Sequence, residues 1–378
     1  MIYLTYGEPP SGVFFSQVTD VLNYLEEKHQ CSIRLVAFIS LHDFSNKKKE
    51  IIAKRNNAIV LPMLPKAPYW KFNTLTLWFI CLLLKPTSII ARNVIATNMA
   101  LQVKNICSVK KVCFDGRGAM KAEWTEYPIT VPPNWKNNIH ELEYNAVNKS
   151  DFRIAVTQKL VEHWQSEYNY NSKKHVVIPC TLNSNFIVKD LDEAGINNIR
   201  ASYGFNIDDL VLVYSGSVSG WQSFALLKPL MLDFLQQTKN NKLVFLSNED
   251  IVIQELISQF PNQVSRKWLK HEEVTNFLLA CDWGILIREQ SITNKVASPT
   301  KFAEYLSVGL PVIISENLGD YTEFVKNNDC GVIFSEQKSL SISKKPFSER
   351  NRLIQLVQQN WTKSAQDGQY KKLIEELL

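Results

Sequence analysis

Strand-length apolar runs alternate with helical stretches along the 378 residues, and the alternation restarts near the middle, which predicts an α/β protein of two Rossmann-like domains with parallel sheets. Length agrees, because single cores stop growing near 250 to 300 residues, roughly the point at which chains split into domains. The first set of expected strands is 2–5, 33–39, 88–91, 112–114, 152–156 and 176–178. A polar stretch opening on Thr181, Leu182, Asn183, Ser184 and Asn185 and running to Asp209 marks the interdomain connection. The second set is 210–214, 243–246, 283–287, 312–314 and 332–334, and Val264 is strand-like ahead of Arg266 and Lys267. Residues 347–378 read as helical and rich in Gln, Lys and Glu. The first residues, Met1 to Glu8, lack a basic leader region and read as a first strand rather than a signal peptide.

Composition narrows the class. Hydrophobic residues at 45% and charged residues at 21% suit a globular protein with ample core. The cysteines at 31, 81, 107, 113, 180, 281 and 330 form no CxxC pair, so reduced, buried thiols in a cytoplasmic protein are expected. Histidines 29, 42, 140, 163, 175 and 271 show no metal spacing, and no metal site is expected. Residues 1–185 hold 22 Lys and Arg against 14 Asp and Glu, whereas the remainder holds 20 against 23. That asymmetry without a basic stripe or recognisable module argues against nucleic acid and leaves two readings, an anionic membrane contact or scattered solvated lysines. Residues 69–85 are too short an apolar run to span a bilayer, which takes about 20 residues. They form either a buried helix or an interfacial one, with Trp70 and Trp78 flanked by Lys66, Lys71 and Lys85.

The densest stretch is 298–315. Ser298 is expected to cap a helix, Pro299 to take its first position, and Gly309 with Pro311 to end it before a strand. Lys301 then falls in the first turn, where a cation opposes the helix dipole. A phosphate bound at the free N–H groups would resolve that conflict, with Glu304 set back to accept from ribose hydroxyls. The alternative is an ordinary capped helix carrying a solvated Lys301–Glu304 pair. Arg288 stands at the end of the 283–287 strand, where it needs a partner, either Glu289 or a phosphate. Asp115 and Arg117 end the 112–114 strand beside Glu123; they pair with each other or face a ligand. The turn from Gly7 to Gly12 precedes a helix expected near Phe14, so Gly12 lets backbone approach an anion.

Several of these pieces together resemble a known family. Arg288-Glu289, the run Asn294 to Phe302, Glu304-Tyr305-Leu306 and Gly309 to Ile313 are similar to the donor-site segment of family 4 glycosyltransferases. Phe114-Asp115-Gly116-Arg117-Gly118 with Glu123, Asn148 to Asp151, Val177 to Cys180, and Val213 to Ser217 with Trp221 and Gln222 follow in the family's order. Resemblance covers nearly the whole chain.

It implies a GT-B fold: an acceptor-side domain at 1–182, a nucleotide-sugar domain at 183–346 facing it across a cleft, and C-terminal helices at 347–378 returning to the first domain. It implies a metal-independent, retaining transfer of a sugar from a nucleotide-sugar to a glycan or lipid-linked glycan in polysaccharide biosynthesis, on or near the cytoplasmic face of a membrane. In that reading Gly12, Gly216, Ser217, Lys295, Ser298, Pro299, Thr300 and Glu304 contact the donor, and Lys267 and Trp268 flank the base. Arg288 and Lys301 stabilise the departing diphosphate, and Asp115 and Arg117 lie near the acceptor. Two departures stand out. Val296 replaces the first of two glutamates spaced eight apart, and Ser217 with Gln222 stands where an arginine and a lysine are usual. Those departures keep two rivals open: a nucleotide-sugar epimerase of the same fold, and a donor-degenerate partner subunit.

Overall fold

A computed structural model describes residues 1–378 except 67–68, 129–132, 183–185, 187, 189–191, 218–223 and 336–338, and gives no side-chain placement for 133–135, 225 and 271. Asn183, Ser184, Asn185, Trp221 and Gln222 therefore lie outside the described residues.

The chain divides into two compact units. One comprises Met1–Thr181, Val296–Ser298 and Gln366–Leu378; the other comprises Leu182–Lys295 and Pro299–Ala365. The first unit holds β1 (Ile2–Tyr6), β2 (Arg34–Ile39), β3 (Ile59–Pro62), β4 (Ser88–Arg92), β5 (Lys111–Gly116), β6 (Phe152–Ala155) and β7 (His175–Val177). They pair in parallel in the order β3-β2-β1-β4-β5-β6-β7. The second unit holds β8 (Leu210–Ser215), β9 (Asn241–Leu246), β10 (Val264–Lys267), β11 (Trp283–Leu286), β12 (Val312–Ile314) and β13 (Gly331–Ile333). Their order is β10-β9-β8-β11-β12-β13, again all parallel. In both sheets the strand order reverses beside the first strand, at β1/β4 and at β8/β11. Such a reversal opens the two carboxyl ends to a ligand.

The strand β3 was not among those expected, and β10 was marked only by the strand-like Val264. Each has four residues and stands at a sheet edge, where one side is unpaired and the apolar signal is weak. In β3 only Val60 is fully buried, and Pro62 ends the strand where an edge tolerates it.

The C-terminal helices part company, which corrects the expected boundary at 347. The helix Asp367–Leu377 lays Tyr370, Leu373, Ile374 and Leu377, spaced i, i+3, i+4, i+7, into the first unit's core with Val21, Leu25 and Ile33. The helix Phe347–Asn360 stays with the second unit. Its buried Arg350 donates to the carbonyls of Leu279 (3.1 Å) and Cys281, and Trp361 just beyond packs on Phe302, Tyr321 and Phe324.

Candidate functional site

In the second unit the residues that matter follow the carboxyl ends of β8, β11 and β12. A buried tyrosine sits where β8 and β11 part. Tyr305 Oη accepts from the Ser215 N–H at 2.8 Å and donates to the Ile285 carbonyl at 3.4 Å, so one side chain ties the ends of both strands. Burial pushes its phenol well above the ordinary range, which keeps it a neutral donor. Gly284 makes room for it: a Cβ there would stand 2.4 Å from the Tyr305 ring. Beyond Ser215, Gly216 continues the ladder with an N–H to the Leu246 carbonyl at 3.2 Å, and the Tyr214 hydroxyl donates to the Ser217 carbonyl at 2.6 Å. Gly216 and exposed Ser217 are thus held at the strand end by backbone contacts.

Arg288 follows β11 and is half-buried. Ser315, just past β12, clamps it, accepting from the Arg288 N–H at 2.5 Å and donating to the Arg288 carbonyl at 2.8 Å. Thr322 in turn donates to the Ser315 carbonyl at 2.9 Å. The guanidinium approaches Asn294 Oδ1 at 3.4 Å, and buried Asn294 donates to the Glu289 carbonyl at 3.1 Å. Arg288, Ser315, Gln290, Glu316 and Asn317 line a cavity of about 500 Å³ with Leu226 and Phe334 at its apolar side. Ser315 fixes the Arg288 backbone at the edge of this cavity, and a guanidinium there can hold an anion through paired N–H donors.

The helix expected to start at Pro299, capped by Ser298, begins one residue later, at Thr300, and runs to Ser307. Pro299 occupies the N-cap in extended conformation with no side-chain cap, while Ser298 Oγ accepts from the Cys180 N–H at 2.9 Å, within the first unit. Proline has no side-chain oxygen to accept an N–H of the first turn, and Ser298 sits one residue too early to cap, so the expected serine cap is corrected. The C-terminal end is as expected. Gly309 takes φ +77°, and the N–H groups of Gly309 and Leu310 reach the carbonyls of Leu306 and Tyr305, both at 3.0 Å, in a Schellman closure. Lys301 Nζ lies 2.5 Å from Glu304 Oε2, with Glu304 only 8% exposed. The pair is formed within the helix, and neither residue lines the Arg288 cavity. Lys295 is exposed at the end of the short helix Ile292–Lys295.

Val296 is explained by packing. Its side chain is buried in the first unit's core with Val94, Phe114 and Leu160, and its carbonyl accepts from Thr157 Oγ1 at 2.8 Å. A glutamate there would carry a charge into an apolar cluster. Lys267 ends β10 with its ammonium 5.9 Å from the Tyr203 and Phe277 ring centres. Trp268 is 72% exposed and so lies outside the core.

The first unit's strand ends hold a buried ionic cluster. Asp115 is fully buried and faces Arg117, with Nε at 2.9 Å and Nη2 at 3.1 Å; it also accepts from the Tyr3 hydroxyl. Arg92, at the end of β4, lies 3.7 Å from Asp115 and 2.7 Å from Glu8. Of the two readings for Asp115 and Arg117, the structure realises the ion pair: a carboxylate with no exposure cannot meet an acceptor sugar. Burial works against the charge on Arg92, but Glu8 and Asp115 hold its proton above the ordinary range. Glu123 is partly buried and its carboxyl is pushed up by burial. Gly12 is exposed at the start of the helix after β1, whose N-terminus Ser11 caps by accepting from Phe14 N–H at 3.2 Å. Among the described residues, no three His, Cys, Asp or Glu side chains gather as a metal would require.

Tyr305, Ser315, Gly284, Arg92, Glu8 and Tyr3 carry no role in the sequence reading. Gly284 inside a strand was the available signal, since such a glycine often marks close approach of another group.

By sequence the chain matches no protein-family model and no curated protein. By structure it is similar to HepE of Anabaena, solved with UDP and glucose, at 13% identity, TM-score 0.69 and 99% of each chain. Sucrose-phosphate synthase of Thermosynechococcus elongatus aligns at 12% identity and TM-score 0.71, over 100% of this chain and 98% of that one. WaaG, a glycosyltransferase involved in lipopolysaccharide biosynthesis, aligns at 11% identity and TM-score 0.63, over 100% and 94%. The chain has the GT-B fold. At such identities the likeness carries architecture, and the chemistry must be argued from the residues.

Proposed function

We propose that this GT-B protein is a retaining glycosyltransferase that takes a sugar from a nucleotide-sugar and passes it, configuration kept, to a glycan or lipid-linked glycan in polysaccharide biosynthesis. The observation that carries the reading is Arg288, which lines a cavity of about 500 Å³ with its backbone clamped by Ser315 at the end of β11. A diphosphate leaving group builds negative charge as it departs, and a positioned cation lowers that barrier. HepE, which shares the architecture, was solved with UDP and glucose, which supports a nucleotide-sugar as donor.

In this reading Arg288 receives the diphosphate, helped by the Gly12 and Gly216 backbone, Ser217, Lys295 and the start of the Thr300 helix beside Ser298 and Pro299. Lys301 serves both partners, since an ammonium has three donors and Glu304 takes one. Glu304 accepts from ribose hydroxyls, and Lys267 and Trp268 flank the base. The bond from the anomeric carbon to the diphosphate breaks as the bond to the acceptor oxygen forms on the same face. The acceptor's hydroxyl proton passes to the departing diphosphate oxygen. The step as written uses no metal and no protein nucleophile. Arg117, oriented by buried Asp115, is the first unit's contribution on the acceptor side. We place this activity in the cytoplasm, at the face of a membrane that supplies the acceptor.

Thermal melting across UDP, GDP, ADP and CMP sugars tests the donor, because a ligand at about 100 times its Kd stabilises by about 2.7 kcal/mol. One nucleotide class is expected to raise the melting temperature, followed by acceptor-dependent transfer with the anomeric configuration retained by NMR. Sugar released or isomerised without acceptor would instead mark an epimerase. No shift with any nucleotide would leave a donor-degenerate partner subunit.

A further inference from the structure

We infer that the outer face of the helix Trp70–Leu84 docks on a bilayer surface rich in anionic lipid. The helix is two-faced in an unusual way. Trp70, Asn73, Thr74, Leu77 and Cys81 are buried, while Phe72, Leu75, Phe79, Leu82, Leu83 and Leu84 are exposed, Leu83 by 83%. Phe72, Leu75, Phe79, Leu82 and Leu83 follow helical spacing on the side away from the core, so they form one apolar row rather than scattered residues. Monomeric soluble proteins rarely leave such a row uncovered. At 15 residues the helix is roughly 22 Å long, and among the described residues no helix is long and apolar enough to cross a membrane. A row of this kind lies in the interface plane.

Charge selects the occupant. From residue 51 through residue 114 the sequence contains nine Lys and Arg and no Asp or Glu. Lys66 and Lys71 at the start of the helix and Lys85 at its end are all exposed. An isologous pairing of two copies along this row would set Lys71 of each against Lys85 of the other, which disfavours self-association. Anionic headgroups meet the same lysines favourably. The use of such docking, presenting the site to a lipid-linked acceptor, rests on the proposed transferase reading. Its measurement does not.

Flotation of the full chain, without nucleotide, uses vesicles of phosphatidylcholine alone and of phosphatidylcholine with phosphatidylglycerol, at low and high salt. The chain is expected to float with the anionic vesicles at low salt and to release as salt rises. Phe79→Ser with Leu83→Ser should lower partitioning about tenfold or more, as apolar burial is lost. Lys66→Ala, Lys71→Ala and Lys85→Ala should each lower it about fivefold on anionic vesicles only. These positions are exposed, and an unchanged thermal melt confirms that each variant is folded. Failure to float with anionic vesicles, or flotation of the Ser variant equal to that of the parent, overturns the proposal. So does a parent that is dimeric by light scattering and becomes monomeric in the Ser variant, because the occupant is then a second copy. Loss of nucleotide binding with flotation intact would refute the transferase reading alone.

Discussion

Tyr305→Phe removes a single oxygen from the point where β8 and β11 part, and the structure sets its cost. The ring stays, so no cavity opens. What is lost is the acceptor for the Ser215 N–H, a 2.8 Å bond inside the core, and a long 3.4 Å bond to the Ile285 carbonyl that contributes little. A buried donor left without its partner costs about 1–3 kcal/mol. The substitution is therefore expected to destabilise the second unit by about 2 kcal/mol. It should also weaken nucleotide binding, because Ser215 leads directly into Gly216 and Ser217. Urea unfolding reads the stability, as a lower midpoint at unchanged slope. Hydrogen exchange reads the mechanism, since the Ser215 amide should lose protection while the amides of β9 keep theirs. An unchanged midpoint together with an unchanged Ser215 exchange rate would refute the view that Tyr305 holds the two strand ends.

Arg288→Ala should lower turnover by about 100- to 1,000-fold, worth about 2.7–4 kcal/mol of transition-state stabilisation, with Arg288→Lys recovering part of it; steady-state kinetics on an otherwise folded variant decides this, and normal turnover would mean that the phosphate is held by amides and Lys301. Glu304→Gln should keep the fold and cut transfer by about 10- to 1,000-fold while raising the nucleotide Kd, because both the ribose acceptor and the orientation of Lys301 are lost. Unaltered titration by calorimetry removes Glu304 from the donor site. Glu143 is fully buried and caps the helix Met120–Glu126 by accepting from the Met120 and Lys121 N–H groups at 3.1 and 2.8 Å, yet burial pushes its carboxyl up to about 7. Because its folded value lies above the ordinary 4.5, its stabilising share is fully present below about pH 4.5 and lost as pH rises through about 7, about 3 kcal/mol in all. Glu143→Gln should flatten that slope in denaturant titrations between pH 5 and 8, and a slope equal to the parent's would place the pH dependence elsewhere.

Most of the fold was legible because its signal is local. Buried parallel strands announce themselves as apolar runs, and the central ones, β1, β4, β8 and β11, are apolar on both faces. The edge strand β3 was not legible and β10 showed only in Val264, since half of each faces solvent and four residues hold too little pattern. The end of the helix at Gly309 could be read from one residue, because only glycine takes φ +77° without strain. Its start could not: whether Ser298 caps or instead accepts from Cys180 depends on where residue 180 lies in space.

The same division runs through the site. The sequence by itself determined that Arg288 follows a strand and that Lys301 and Glu304 share a helical face, because both statements depend only on neighbours along the chain. The tertiary structure alone decided that Ser315 clamps Arg288, that Tyr305 joins β8 to β11, that Val296 is core, and that Asp115 is closed off by Arg117, Tyr3 and Arg92. Apart from Asp115 and Arg117, which are neighbours along the chain, those partners are separated by tens to over a hundred residues, and no local propensity encodes a pairing at that range. It decided likewise which side of the helix Trp70–Leu84 is bare, since a helix apolar all round does not say which of its faces the rest of the fold will cover.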